Sequence, residues 1–145
     1  MFADLLARLS GANTTPLPAT DARLALTALL VRVARSDHDY STVEIARIDA
    51  ITRTRYDLTQ EAAKALRADA ETLETEAPDT VRFTRDIKNA VPFEDRVAVI
   101  ESLWQVVLAD GSRDKHENAL LRLVANLLGV NDRDSALARQ RVEAK

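Results

Sequence analysis

The alternation of apolar and polar positions predicts helices throughout the chain, and one pattern occurs twice. In each copy an apolar helix leads to an Asp, a Glu follows that Asp after seven positions, and a second apolar helix begins. The two copies lie 73 positions apart. The first contains Ala25, Leu26, Leu30, Val33, Asp37, Glu44, Ala46, Ile48 and Ile51, and the second contains Ala98, Val99, Leu103, Val106, Asp110, Glu117, Ala119, Leu121 and Val124. The repeat predicts a duplicated helix–acidic turn–helix hairpin.

Residues that favour helix ends divide the chain into seven or eight helices, with no predicted strand. Candidate N-caps are Thr20 or Asp21, Ser41, Thr59, Asp79 or Thr80, Asp114, and Asn131 or Asp132; Pro92 precedes another start and Gly129 is a stop signal. We predict an all-α fold in which the two hairpins pack around a pseudo-two-fold axis in one bundle-like domain. A short helix at 2–9 and a linker form residues 1–19, and residues 20–145 form the helical domain.

Composition narrows the choice of protein class. The 145 residues suit one domain, and 46% apolar residues with 30% charged residues suit a packed core with a charged surface. The absence of cysteine excludes disulfides and thiolate chemistry. A net charge of −3 disfavours nucleic-acid binding. The first nine residues do not resemble a signal peptide, and no apolar run reaches the ~18 residues of a spanning helix. We therefore expect a cytoplasmic protein without direct membrane insertion.

Two charged stretches lie between the repeats. Asp69, Glu71, Glu74 and Glu76 make the second half of one helix acidic, which is most simply a solvated face. Arg82, Arg85 and Lys88 form a basic stripe on the next helix. The two stretches could pair, although an exposed ion pair contributes only about 0–1 kcal/mol.

The acids of the two turns have two interpretations. In the structural one, Glu44 and Glu117 occupy the third position of capping boxes, and Asp37 and Asp110 hydrogen-bond the backbone of their turns. In the functional one, each turn holds more carboxylates than a cap needs, and their mutual repulsion favours a bound cation. The candidate oxygen donors are Asp37, Asp39, Glu44, Asp110, Asp114 and Glu117.

The spacing excludes one kind of cation site and disfavours another. In an EF-hand the twelfth position would carry a Glu, but counting from Asp37 and Asp110 gives Ile48 and Leu121. Zinc is less favoured than Ca²⁺ or Mg²⁺, because the two histidines, His38 and His116, do not occupy equivalent repeat positions. No phosphate loop, nucleophile elbow or zinc-hydrolase motif is present, so we expect no enzymatic activity.

The second turn, Leu108-Ala109-Asp110-Gly111-Ser112-Arg113-Asp114-Lys115-His116-Glu117, resembles the TerB-like tellurite-resistance family, with a weaker first copy from Ala34 to Glu44. The resemblance covers residues 20–130. It departs from the family pattern at His38, which replaces a Gly, and at Tyr40 and Arg113, which replace aliphatic residues.

The resemblance implies an all-helical, non-enzymatic domain associated with tellurite resistance and stress response. It also implies divalent-cation binding through an acidic cluster of Asp37, Glu44, Asp110 and Glu117. Related domains occur beside membrane-associated modules, so a partner protein in a membrane-associated complex is an expectation as well. The alternative is a protein-interaction module that uses its acidic surface without metal.

Overall fold

Seven α-helices and no strand make up the part of the chain that the computed structural model describes, which is residues 19–35, 40–77, 79–108 and 115–144. The side chains of Ala19, Thr20, Ala90 and residues 115–118 lie outside this description, as does the predicted helix at 2–9. The helices are α1 Ala19–Ala34, α2 Thr42–Tyr56, α3 Gln60–Glu76, α4 Thr80–Ala90, α5 Phe93–Val107, α6 Lys115–Leu127 and α7 Asp132–Glu143. The all-α prediction is confirmed.

Helix α1 is the centre of the core, as its all-round apolar pattern predicts. It packs against α2, α3, α4, α5 and α6. Leu29, Val31 and Val33 are completely buried, and Thr27 satisfies its buried hydroxyl by donating to the Arg23 carbonyl oxygen at 2.7 Å. Helix α1 is therefore enclosed by the other described helices on several sides.

The packing follows the sequence repeat. The repeat relates α1, α2 and α3 to α5, α6 and α7. Helix α1 packs against α3, and the equivalent helices α5 and α7 also pack together. Helix α2 contacts α5, and the equivalent contact joins α6 to α1. The start of α2 at Thr42 and the start of α6 at Lys115 keep the 73-residue spacing. Equivalent positions are buried alike, since Ile48 and Leu121 are both completely buried. The chain thus contains two three-helix units, α1–α3 and α5–α7.

Helix α4 joins the two units and has no counterpart among the described helices. It packs against both α1 and α6 and buries Phe83 and Ile87 completely. Its pattern of apolar residues on one side and Arg82, Arg85 and Lys88 on the other is typical of a helix that covers a core.

Local cap chemistry sets the other helix ends. Ser41, Thr59, Asp79 and Asn131 each accept a hydrogen bond from the backbone three residues on, as predicted. The predicted caps Thr20 and Asp21 are wrong, because α1 already begins at Ala19, which follows Pro18 in the sequence.

Gly129 ends α6, as predicted. It has φ +78°, in the left-handed region, and its N–H donates to the Asn126 carbonyl oxygen at 3.1 Å. The N–H of Val130 donates to the Ala125 carbonyl oxygen at 2.9 Å. This pair of bonds is the Schellman motif, which satisfies two of the orphan carbonyls at the helix end.

Candidate functional site

The structure describes one of the six candidate oxygen donors in full, namely Glu44. Glu117 is the third residue of α6, but its side chain lies outside the described residues. The other four candidates, Asp37, Asp39, Asp110 and Asp114, lie outside the described residues as well. Within the described residues, the candidate site consists of Glu44 and of the helices before and after the two turns.

Glu44 is fixed at the beginning of α2 by a capping box. Its Oε1 accepts from the Ser41 backbone N–H at 3.2 Å and from the Ser41 hydroxyl at 3.1 Å, while its own N–H donates to the Ser41 Oγ at 3.1 Å. The prediction of a capping role is confirmed. Glu44 is also only 2% exposed, although most helix caps lie in water. Burial of a carboxylate is costly unless it is hydrogen-bonded or paired, and the two bonds from Ser41 supply part of that compensation.

Two arginines at the end of α1, next to the first turn, converge on Glu74 of α3. Arg32 donates to Glu74 Oε2 at 3.1 Å and to the Glu74 carbonyl oxygen at 2.9 Å. Arg35 donates to Glu74 Oε1 at 3.0 Å. The interpretation of Glu74 as part of a solvated acidic face is wrong, because its side chain is only 13% exposed. Glu74 instead pairs with both arginines at the end of α1.

A second cluster joins α2, α3 and Tyr40. Arg67 Nε lies 2.7 Å from Asp49 Oδ1, and Arg67 Nη1 lies 3.3 Å from Glu71 Oε2. Burial, and then the neighbouring Glu71 carboxylate, raise the pKa of Tyr40 far above its usual value of 10. Glu71 is thus also engaged within the fold rather than solvated. Glu71 pairs with Arg67, and Glu74 pairs with Arg32 and Arg35, whereas among the described residues no ion pair links α3 to the basic stripe of α4.

These clusters contain residues that sequence reasoning missed, Arg32, Arg35 and Arg67. The Arg67–Glu71 pair has an i,i+4 spacing that the sequence shows. The contacts of Glu74 with Arg32 and Arg35 join positions 42 and 39 residues apart, for which a single sequence carries no signal. Both clusters support the helices that frame the first turn.

The family model of the tellurite resistance protein TerB matches residues 23–140. The chain belongs to the TerB family. The match spans both repeats and confirms the resemblance carried by the acidic turns. No curated protein and no solved structure gives a significant match.

Trp104 of this TerB-family domain is a core residue. It is 8% exposed, and its indole N–H donates to the Ser135 hydroxyl at 3.2 Å. The Arg139 guanidinium lies 5.6 Å from its ring centroid. Trp104 therefore anchors α7 to α5 within the second unit of the TerB-family fold.

Two further properties of the TerB-family domain concern metals and membranes. Among the side chains that the structure describes, no three His, Asp or Glu residues are grouped so that they could hold a metal ion. A cation site would therefore need donors from the two turns that lie outside those residues. Within the same described segments, each helix is too short or too polar to cross a bilayer.

Proposed function

We propose that this TerB-family domain binds a divalent cation through its paired acidic turns. The observation that carries the proposal is Glu44, a carboxylate that is 2% exposed and held in one orientation at the edge of the first turn. The same turn contains Asp37 and Asp39. A cation would offset the repulsion among these carboxylates, and Glu44 would reach it already oriented.

The repeat extends the proposal to the second turn. Glu44 is the third residue of α2, and Glu117 is the third residue of α6, so both follow their turns in the same helical position. Asp110 and Asp114 would supply the remaining carboxylates there. An all-oxygen donor set suits Ca²⁺ or Mg²⁺ better than Zn²⁺, which favours nitrogen and sulfur ligands.

We further propose that the domain acts without enzymatic activity, in the cytoplasm, in a stress response that includes tellurite resistance. Its partner would be a protein, within a membrane-associated complex. The alternative is that the acidic surface recruits a partner without metal. That alternative has less support, because Glu71 and Glu74 are held in ion pairs inside the fold. Asp69 and Glu76 of α3 are exposed and would carry such an interaction.

Isothermal titration calorimetry with Ca²⁺, Mg²⁺ and Zn²⁺ tests the proposal. We expect Ca²⁺ or Mg²⁺ to bind the wild-type protein and Asp110→Ala to weaken binding at least about tenfold, because a ligand charge is lost. Asp69→Ala is the matched control, since Asp69 is exposed on α3. Absence of binding heat with all three ions would remove the cation proposal. Binding that Asp69→Ala weakens as much as Asp110→Ala would also contradict it.

A further inference from the structure

A cavity of about 520 Å³ lies between α5, α6 and α7, in the second three-helix unit. This volume is within the range of about 300–1,000 Å³ that small-molecule sites occupy. Three of the lining residues, Ala119, Arg122 and Asp132, are exposed and mark the mouth of the cavity. The full described lining is Trp104, Ala119, Arg122, Asp132, Ser135, Ala136 and Arg139. We call it the Trp104 cavity, and the proposed cation site uses none of these residues.

The two units differ at this place in one ion pair. In the first unit, Arg67 of α3 lies 2.7 Å from Asp49 of α2 and so joins the two helices. A shift of 73 positions relates Asp49 to Arg122 and Arg67 to Gln140, so the equivalent pair cannot form between α6 and α7. Arg122 instead lies 3.5 Å from Asp132, and both side chains are more than half exposed. Because exposed pairs are weak, the Arg122 guanidinium remains accessible to an anion from solvent.

The lining of the Trp104 cavity is more polar than the equivalent positions of the first unit. The same shift relates Ser135 to Ala62 and Arg139 to Leu66. The first unit therefore packs its third helix with apolar side chains where the second has a hydroxyl and a guanidinium. Since the shared fold does not require these two polar groups, they are free to serve a ligand.

The indole ring of Trp104 holds both polar groups in place. Its N–H donates to the Ser135 hydroxyl at 3.2 Å, and a hydroxyl that accepts one bond still carries a proton for donation. The Arg139 guanidinium lies 5.6 Å from the ring centroid. Its Nε is buried and makes no hydrogen bond to the described residues, although Glu143 Oε1 lies 3.1 Å away. Arg139 is thus oriented by the ring while part of its hydrogen-bonding capacity is unused.

We propose that the Trp104 cavity binds a small aromatic carboxylate. The guanidinium groups of Arg122 and Arg139 suit a carboxylate, which arginine can bind through two parallel hydrogen bonds. Two arginines and one aspartate give the lining a net charge of +1, which a monoanion would neutralise. The apolar part of the lining, which includes Trp104 and two alanines, suits the ring of such a ligand.

NMR on the full chain tests the proposal through Trp104 itself. Trp104 is the single tryptophan of the chain, so its indole N–H gives one cross-peak in a ¹⁵N-labelled sample. The probe is 2-naphthoate, titrated in EDTA, which makes the result independent of the cation proposal. We expect the indole peak to shift with a Kd of about 1 mM or tighter. The uncharged naphthalene-2-carboxamide, of the same shape, should bind at least about tenfold more weakly, because the charge-assisted bonds are lost.

Charge variants locate the carboxylate of the probe. Arg122→Gln and Arg139→Gln should each weaken 2-naphthoate binding at least about tenfold. Arg139→Lys keeps the charge but not the planar guanidinium, so it should restore only part of the affinity. The matched control is Arg133→Gln, because Arg133 is exposed on α7 and does not line the cavity. Its effect should be less than about twofold.

A further variant tests the shape of the cavity without changing its charge. Ala119→Phe places a ring at the mouth from an exposed helix position, so it should abolish the shift while the melting temperature is retained. Ala68→Phe, exposed on α3, is its control and should bind as the wild type does.

Four results would overturn the proposal. The first is no shift of the Trp104 peak at about 5 mM 2-naphthoate, and the second is equal affinity for the carboxamide. The third is displacement of 2-naphthoate by about 10 mM inorganic phosphate, which would indicate an anion site that does not recognise the ring. The fourth is a loss of affinity in Arg133→Gln as large as that in Arg122→Gln and Arg139→Gln.

Discussion

Glu44 Oε1 accepts two hydrogen bonds from Ser41, one from the backbone N–H at 3.2 Å and one from the hydroxyl at 3.1 Å. The pair closes the beginning of α2 and fixes a buried carboxylate at the N-terminal end of that helix. The residue that caps the helix is also the described candidate ligand of the proposed cation site. The helix-capping role and the proposed cation-binding role of Glu44 can be tested by different substitutions.

The capping role predicts that Ser41→Ala destabilises the protein more than Thr59→Ala. Both changes remove a cap, at about 1 kcal/mol each. Ser41→Ala also takes a hydroxyl donor from the buried Glu44, which adds about 1 kcal/mol or more, whereas Thr59 is exposed. Urea unfolding measures the difference in the free energy of unfolding. Equal losses would show that Glu44 does not depend on the Ser41 hydroxyl.

The two ion pairs of Glu74 predict that replacing it lowers the free energy of unfolding more than replacing an exposed acid of the same helix. Glu74→Ala removes the acceptor of Arg32 and Arg35 and should lower the free energy of unfolding by about 2 kcal/mol. Glu76→Ala is the control two positions away, where the side chain is exposed and the effect should stay within about 0.5 kcal/mol. Chemical denaturation of the two variants checks this. Similar small effects would mean that the pairs contribute no net stability.

Gly129 should tolerate substitution poorly for two reasons that can be separated. An Ala there would hold φ at +78° and bring a Cβ to 3.3 Å from Lys88 Cε. The backbone part should cost about 1 kcal/mol or more. Adding Lys88→Ala removes the Lys88 contact and leaves the backbone strain and the 3.4 Å approach of Arg96 Nη1, so the double variant should recover only part of the stability. Full recovery in thermal melts would show that crowding, rather than φ, is the cause.

The tyrosines predict a loss of stability in alkaline solution. Burial raises the pKa of Tyr40 and of Tyr56 above the usual value of 10. The folded state then holds protons that the unfolded state releases above pH 10, so their stabilising contribution is complete below that pH and is lost as pH rises through the folded pKa values. Absorbance at 295 nm should show both tyrosines ionising above pH 10 in the folded protein. Ionisation at pH 10 without unfolding would contradict the burial argument.

The features that could be predicted from the sequence depend on nearby residues. The caps Ser41 and Asn131 bond to the backbone three residues away, and Gly129 ends its helix through bonds that span five residues or fewer. Such contacts involve residues within about one helical turn, so the local sequence indicates where they form. The repeat likewise follows from apolar spacing, because each unit buries the same face.

The features that could not be predicted depend on how helices meet. Glu74 has the sequence context of an exposed helix residue, and its partner Arg32 becomes visible only when α1 packs on α3. Arg67 likewise meets Asp49 only when α3 packs on α2.

The most direct test of the cation site compares Ca²⁺ binding by the wild-type protein and by Glu44→Gln, with calorimetry for affinity and a thermal melt in EDTA for stability. Gln at this position can still close a capping box, so we expect the melting temperature to change by less than about 4 °C. Removal of the carboxylate charge should weaken Ca²⁺ binding at least about tenfold. Unchanged Ca²⁺ affinity in Glu44→Gln, or no Ca²⁺ binding by the wild-type protein, would contradict the account and leave Glu44 as a helix cap.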